Sequence, residues 1–137
     1  SKEELVSAAA ERIAASHPGL NAKSLFTNLM EKETESTTDM GNGTAIPHTY
    51  SREIKRRINA VARIKEGVAF SSPDTAPVRL AFFVISPYGD PESHLATIAE
   101  VARIASDEDA CRKIIAAQST GEIADILQEK AKGQSEI

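Results

Sequence analysis

The sequence predicts a single α/β domain in which a mixed central β-sheet is flanked by α-helices on both faces. Residues 80–85 (LAFFVI) are apolar at every position, as expected of a central strand that is covered on both sides. Residues 57–64 instead alternate apolar and more polar side chains, which is typical of a half-buried strand. Amphipathic helical patterns lie before and after these strands. A length of 137 residues suits one domain that is large enough to bury a core.

Two helices are predicted in the first part of the chain. Residues 2–16 repeat apolar side chains at helical spacing, at Leu5, Ala9 and Ile13. The His-Pro-Gly sequence at 17–19 should end this helix, and we interpret His17 as a residue at the end of a loop. Asn21 is suited to cap a second helix with apolar positions at Leu25, Phe26, Leu29 and Met30. The polar residues 31–39 are then expected to lead into a glycine-rich turn.

Three further helices are predicted after the central strand. The first should begin at Asp90, because a capping Asp is followed by Pro91 and an acidic residue. Its buried positions are expected to be Leu95, Ile98, Ala102 and Ala105. The next helix should begin near Asp107 and place Cys111 on its apolar side. Residues 119–122 (STGE) form a capping box for the last helix, whose inner side should carry Ile123, Ile126 and Leu127.

Composition restricts the class of protein. Net charge is −4, and no apolar run approaches the roughly 20 residues that cross a bilayer, so we expect neither nucleic acid as the main partner nor direct membrane insertion. The lone Cys111 excludes an internal disulfide and suits a reducing, cytoplasmic setting. No His or Cys spacing is typical of a zinc site, so no metal is predicted. The basic residues at 52 and 55–57 are interpreted as a solvated face, with partner docking as the alternative.

The stretch 41–48 (GNGTAIPH) is the strongest candidate for a functional motif. Glycines can adopt positive φ and bring backbone N–H groups close to an anion. Pro47 biases the preceding residue toward an extended conformation, so the motif presents His48 at the end of a short apolar run. A neutral imidazole is a nucleophile that can accept a phosphoryl group. From these residues alone, a hairpin turn beside a structural histidine remains an equal alternative.

The stretch from 32 to 48 (KETESTTDMGNGTAIPH) resembles a motif of the fructose/mannitol-type enzyme IIA domains of the bacterial sugar phosphotransferase system, a class that includes nitrogen-regulatory IIA proteins. That class carries Arg-Glu, a few residues, and then S-T-G-x-G-N-G-x-A-x-P-H. Residues 70–78 (FSSPDTAPV), 93–95 (SHL) and 107–127 also match segments of the family, in the family's order. The resemblance covers nearly all of residues 1–137. Because the family has a strand before the first helix, it implies that residues are missing upstream, as in a domain cut from a longer protein.

The resemblance implies a role for each matching residue. His48 would be the phosphoryl acceptor, and His94 would donate a hydrogen bond to the phosphoryl group from a ring kept neutral at a helix N-terminus. Lys32 would supply positive charge, although the family usually has Arg there, which binds phosphoryl oxygens in a bidentate way. The residues expected to contact the phosphoryl group are Thr38, Gly41, Asn42 and Gly43, with Thr37 a further hydroxyl.

Two acidic residues near these positions are open to more than one interpretation. Asp39 stands where the family usually has glycine, and its carboxylate either repels the phosphoryl group or faces solvent. Asp74 either has a role in the site, where it would orient the pocket or hold a histidine tautomer, or hydrogen-bonds its own backbone in a turn.

Two functions follow from the resemblance. The first is a phosphocarrier that takes a phosphoryl group from an HPr-like protein onto His48 and passes it to a IIB-type partner, with no organic cofactor. The second is a regulatory IIA-like binding module, alone or fused to a membrane transporter or transcription regulator. Lys32 and Asp39, as departures from the family pattern, favour the second.

Overall fold

The computed structural model describes residues 1–71 and 75–135, with backbone alone for 131–135. Within these ranges the chain forms five helices and four strands. In chain order they are α1 (Lys2–Ser16), α2 (Ala22–Glu35), β1 (Thr44–Ala45), β2 (His48–Ser51), β3 (Ile58–Val68), β4 (Val78–Pro87), α3 (Pro91–Ala105), α4 (Glu108–Ala116) and α5 (Thr120–Ser135).

The sheet is built around β4. Along one side of β4 the short strands β1 and β2 follow each other, both parallel to it, with Thr44 opposite Leu80 and His48 opposite Val84. Along the other side β3 runs antiparallel to β4, with Ile58 opposite Ile85 and a register shift between Arg63 and Val68. The predicted mixed sheet is therefore confirmed, and β4 is its central strand.

Alternate side chains of β4 belong to two separate cores. One core lies under α1 and α2 and takes Ala81, Phe83 and Ile85 from β4. The other lies under α3, α4 and α5 and takes Leu80, Phe82 and Val84. All six side chains are buried, as the unbroken apolar run predicts. Helices therefore cover both faces of the sheet.

Side chains cap most of the helices at the predicted positions. Asn21 accepts a hydrogen bond from the backbone N–H of Ser24, and Asp90 and Asp107 cap α3 and α4 in the same way. At the start of α5, Ser119 Oγ accepts from the N–H of Glu122 at 3.1 Å. The Glu122 carboxylate, however, accepts from the N–H of Gln118, one residue before the position that a capping box requires.

Two expectations about helices are wrong. The second helix continues through the polar residues to Glu35, because Glu33 turns inward and is buried there. Leu95 is 64% exposed, whereas the histidine before it is buried, so the inward stripe of α3 begins at residue 94 and continues to Ile98, Ala102 and Ala105. No described helix has the length and apolar character needed to span a membrane.

Candidate functional site

Two histidines distant in sequence meet at the end of β4. His48 is the first residue of β2, and His94 lies in the first turn of α3. Their ring centroids are 5.6 Å apart, with the planes inclined at 56°. The expected proximity of the two rings is therefore confirmed.

The chain between β1 and β2 determines where His48 lies. Pro47 interrupts the pairing along β4, although its carbonyl still accepts a hydrogen bond from the N–H of Val84 at 3.0 Å. His48 resumes the strand immediately afterwards, and its side chain is half-buried. Its Nδ1 lies 2.7 Å from the carbonyl oxygen of Ile46. Because a carbonyl can only accept, Nδ1 carries the proton and the neutral ring keeps its lone pair on Nε2.

His94 is held by a chain of polar contacts that ends on an arginine. Its Nδ1 lies 2.6 Å from Ser86 Oγ, which also accepts a hydrogen bond from Arg57 Nε at 2.9 Å. His94 is only 4% exposed, and Ser86 is fully buried. We call these three residues the His94 relay. They come from different parts of the fold: Arg57 lies in the loop directly before β3, Ser86 in β4 and His94 in α3.

The environment of His94 keeps its ring neutral. Burial is the main cause that lowers the pKa of His94 below its ordinary value, since it disfavours the charged ring. The positive charge of His48 when its ring is protonated lowers the pKa of His94 further, and so do the charges of Arg57 and Lys32. Burial and these charges act in the same direction as the N-terminus of α3, where the sequence analysis places His94. A neutral ring at pH 7 has one N–H to donate.

A surface pocket lies next to His48, between α2, α3 and the loop before β1. Lys32, Thr38, Ile46 and Ala102 are among the residues that line it. The Lys32 side chain is 44% exposed, and its Nζ is 3.9 Å from Glu35 Oε2. An exposed pair at that distance is weak, so the ammonium can turn toward a group bound at His48.

Glu33 organises the loop that forms one wall of this pocket. Its buried carboxylate accepts hydrogen bonds from the hydroxyls of Thr37 and Thr38 and from the N–H of Thr38. Lys2 Nζ lies 4.0 Å away and neutralises part of its charge. The hydroxyl hydrogen of Thr38 is therefore used by Glu33, which differs from the expected contact with a phosphoryl group. The sequence analysis assigns no role to Glu33. Its position four and five residues before two threonines is the pattern that could have indicated these hydrogen bonds.

The glycine-rich loop uses its polar groups mainly within the protein. Gly41 donates its N–H to Asp39 Oδ1 at 2.8 Å. The Asn42 side chain accepts from Thr44 and donates to the carbonyl of Ala105 at the end of α3. The carbonyl of Gly43 accepts from two N–H groups at the start of β4. Gly41 and Gly43 both have positive φ, so the predicted backbone freedom is used to close the loop against the sheet and α3.

Asp39 lines the pocket next to His48, and its carboxylate is hydrogen-bonded within the protein. Its Oδ2 accepts hydrogen bonds from Ser71 at 2.9 Å and from Thr75 at 3.3 Å. The carboxylate therefore links the loop before β1 to the segment before β4. Asp74 lies outside the described residues.

The basic residues after His48 do not form one face. Lys55 and Arg56 are exposed, as predicted, but Arg57 is half-buried and reaches Ser86. Arg52 lies over the ring of Tyr88, with 4.4 Å between its guanidinium carbon and the ring centroid. The ring of Tyr50 lies 4.4 Å from that of His94 and also stacks on Tyr88. Sequence reasoning did not identify the contributions of Arg57, Ser86 or Tyr50.

Comparison with known proteins identifies the family. Residues 1–130 match the family model described as "Phosphoenolpyruvate-dependent sugar phosphotransferase system, EIIA 2". A nitrogen regulatory protein of Klebsiella oxytoca is 32% identical over 118 residues, which cover 85% of this chain and 73% of that protein. A fructose-specific EIIA component of Haloferax volcanii is 34% identical over 101 residues, 74% of this chain and 66% of that one.

Solved structures agree with this match. The crystal structure of the nitrogen regulatory protein IIA-Ntr from Neisseria meningitidis has a TM-score of 0.84 at 29% identity and covers 93% of this chain and 86% of its own. The chain belongs to the EIIA type 2 family of the sugar phosphotransferase system.

Proposed function

We propose that this domain is a phosphocarrier that accepts a phosphoryl group on Nε2 of His48 and passes it to a IIB-type partner. The phosphoryl donor is a histidine-phosphorylated protein of the HPr type. One observation carries the proposal: the 2.7 Å contact of Nδ1 with the carbonyl of Ile46 leaves the lone pair of the neutral ring on Nε2, beside a second, neutral histidine.

The proposed transfer needs no general base. The Nε2 lone pair of His48 forms a bond to phosphorus while the N–P bond of the donor breaks, and the donor nitrogen leaves with its electron pair. The proton on Nδ1 stays in place because the carbonyl of Ile46 continues to accept it. One N–P bond replaces another, so the step is nearly balanced in free energy and can run in both directions.

Two groups stabilise the charge of the transferred phosphoryl group in this proposal. His94 donates an N–H, and Lys32 contributes a flexible positive charge from the wall of the pocket. We assign Thr38, Gly41, Asn42 and Gly43 to shaping the pocket, because their described hydrogen bonds are made within the protein. The setting that suits this chemistry and the unpaired Cys111 is the cytoplasm.

A regulatory role is the second candidate, favoured by the relatives that are nitrogen regulatory proteins. In this role phosphorylation of His48 changes the affinity of the domain for a transporter or a regulator. The two roles share the same phosphorylated residue and differ in the fate of the phosphoryl group.

We expect phosphorylated HPr-like protein to add one acid-labile, base-stable phosphoryl group to the domain. An N-linked phosphate is lost in acid, whereas a serine ester survives it, so stability of the label at low and high pH identifies the linkage. Onward transfer to a IIB partner supports the carrier, and a long-lived phosphorylated form that changes binding to a transporter or regulator supports the regulatory role. An unlabelled protein with competent donors from several sources would refute phosphoryl acceptance.

Lys32→Ala should slow phosphoryl acceptance by about tenfold, because a half-exposed cation contributes less than a fixed donor. Lys32→Arg should equal or exceed the wild-type rate, since it keeps the charge and adds a planar fork of donors. Rates are measured as initial labelling with phosphorylated HPr-like protein. Lys23→Ala is the matched control, because Lys23 is an exposed lysine of the same helix outside the pocket. Equal rates for all four proteins would remove Lys32 from the chemistry.

A further inference from the structure

We propose that Arg57 and Ser86 are positioning residues that hold His94 in the tautomer with its proton on Nε2. This inference rests on the proposed function for its consequence, since an N–H on Nε2 is the donor that a phosphoryl group on His48 would use. The tautomer itself can be measured without any phosphoryl transfer. Nothing in the glycine-rich motif or in the role expected of His94 identifies either residue.

The chemistry of Arg57 determines how Ser86 is oriented. A guanidinium can only donate, so the 2.9 Å contact from Arg57 Nε occupies a lone pair of Ser86 Oγ. The hydroxyl hydrogen of Ser86 must then point elsewhere. Its other hydrogen-bond partner among the described residues is His94 Nδ1, at 2.6 Å.

Burial makes the alternative orientation costly. Ser86 is fully buried and His94 is 4% exposed, so water does not compete for these groups. If Nδ1 carried the proton and donated to Ser86, the hydroxyl hydrogen would be buried without an acceptor. The favoured arrangement is therefore Arg57 N–H to Ser86 oxygen, and Ser86 O–H to the lone pair on Nδ1. The neutral ring then carries its hydrogen on Nε2, on the opposite side of the ring.

The relay makes the two histidines complementary. His48 keeps its proton on Nδ1, which leaves a lone pair on Nε2 to bond phosphorus. His94 keeps its proton on Nε2, which leaves a donor for the oxygens of the same phosphoryl group. With the other tautomer, His94 would present a lone pair to a dianion and would repel it. Without the relay, nothing else described at His94 Nδ1 selects between the two tautomers.

The decisive variant is Arg57→Glu, which replaces a donor by an acceptor at the same distance along the side chain. Glu Oε is separated from Cβ by as many bonds as Arg Nε, so the carboxylate oxygen can take the hydroxyl hydrogen of Ser86. Ser86 oxygen is then free to accept from His94, and we expect the proton of the neutral ring to move to Nδ1. The measurement is the ¹⁵N chemical shifts of the His94 ring in unphosphorylated protein, well above the ordinary histidine pKa.

Arg52→Glu is the matched control, because it makes the same charge change at an arginine that contacts Tyr88 rather than the relay. Wild type and Arg52→Glu should keep the proton on Nε2. Phosphoryl acceptance should fall about 100-fold for Arg57→Glu, as expected for loss of a preorganised donor, and change far less for Arg52→Glu. The proposal is overturned if Arg57→Glu keeps the proton on Nε2, or if Arg52→Glu moves it equally.

A second variant covers the case in which Arg57→Glu fails to fold, as judged by its amide spectrum. Ser86→Ala removes the hydroxyl, so both tautomers of His94 should become populated, whereas a single Nε2-protonated form would overturn the relay. The tautomer measurement also separates this inference from the proposed function. A wild-type protein with the expected tautomers but no phosphoryl label would refute phosphoryl acceptance and leave the relay standing.

Discussion

His48→Ala is expected to abolish labelling of the domain by phosphorylated HPr-like protein. The imidazole is the proposed bond-forming group, and alanine offers no nucleophile in its place. His48 is half-buried at the start of β2, so the substitution leaves both cores untouched and the protein should remain folded. The measurement is the incorporation of acid-labile phosphate over time.

His17→Ala is the matched control, because it makes the same substitution at the end of α1, where the ring contacts the carbonyl of Ile13. It should be labelled like wild type. His94→Ala should still be labelled, but about 100-fold more slowly, since this ring is proposed to donate a hydrogen bond and to form no bond to phosphorus. Persistent labelling of His48→Ala, or complete loss of labelling in His94→Ala, would exchange the roles of the two histidines or refute them.

Phe83→Ala is expected to lower the free energy of unfolding by about 3–5 kcal/mol, a large share of the roughly 5–15 kcal/mol of a typical domain. Phe83 is 1% exposed and lies at the centre of β4, in the core shared with α1 and α2. Removing its ring leaves a cavity that neighbours in a central strand cannot move to fill. Urea denaturation monitored by circular dichroism measures the loss.

Phe26→Ala provides the comparison, because this phenylalanine of α2 is only partly buried against the same core. It should cost clearly less, since part of the ring is already in contact with water. Equal losses of unfolding free energy for the two variants would show that the deeper burial of Phe83 does not determine its contribution to stability. A loss below about 1.5 kcal/mol for Phe83→Ala would indicate that the site relaxes to close the cavity.

The fold could be predicted from the sequence because its main signals are local. The run at 80–85 predicts a strand buried on both faces, and the capping residues Asn21, Asp90 and Asp107 each mark a helix start. The prediction for Leu95 is wrong because helical spacing fits more than one stripe, and a polar residue such as His94 is rarely assigned to the inner one. Tertiary contacts with Ser86 decide in favour of His94.

The candidate site was only partly predictable because some of its residues are brought together by tertiary contacts, which local sequence patterns do not show. His48 and His94 stand in segments that match the family, and that resemblance is enough to expect them close together. In the sequence, Arg57 is one of several neighbouring basic residues, which are typical of a solvated surface. Ser86 directly follows the apolar run at 80–85, where a strand is expected to end. Their connection depends on the register of β3 against β4, which pairs Ile58 with Ile85. Register is set by the whole sheet and leaves no local signal.

The contact between Arg57 and Ser86 depends on the end of the sheet staying closed, because Ser86 lies in β4 and Arg57 directly precedes β3. Arg57 directly precedes Ile58, the first paired residue of β3, and strand ends are the parts that open with the least free energy. When this end detaches from β4, Ile58 leaves the core under α1 and α2, and Arg57 leaves Ser86 with it. The tautomer of His94 with its proton on Nε2 would then be maintained only while the first hydrogen bonds of β3 are intact. Amide hydrogen exchange at Ile58 therefore reports how often the contact between Arg57 and Ser86 is lost, and with it the proposed ability to stabilise an incoming phosphoryl group.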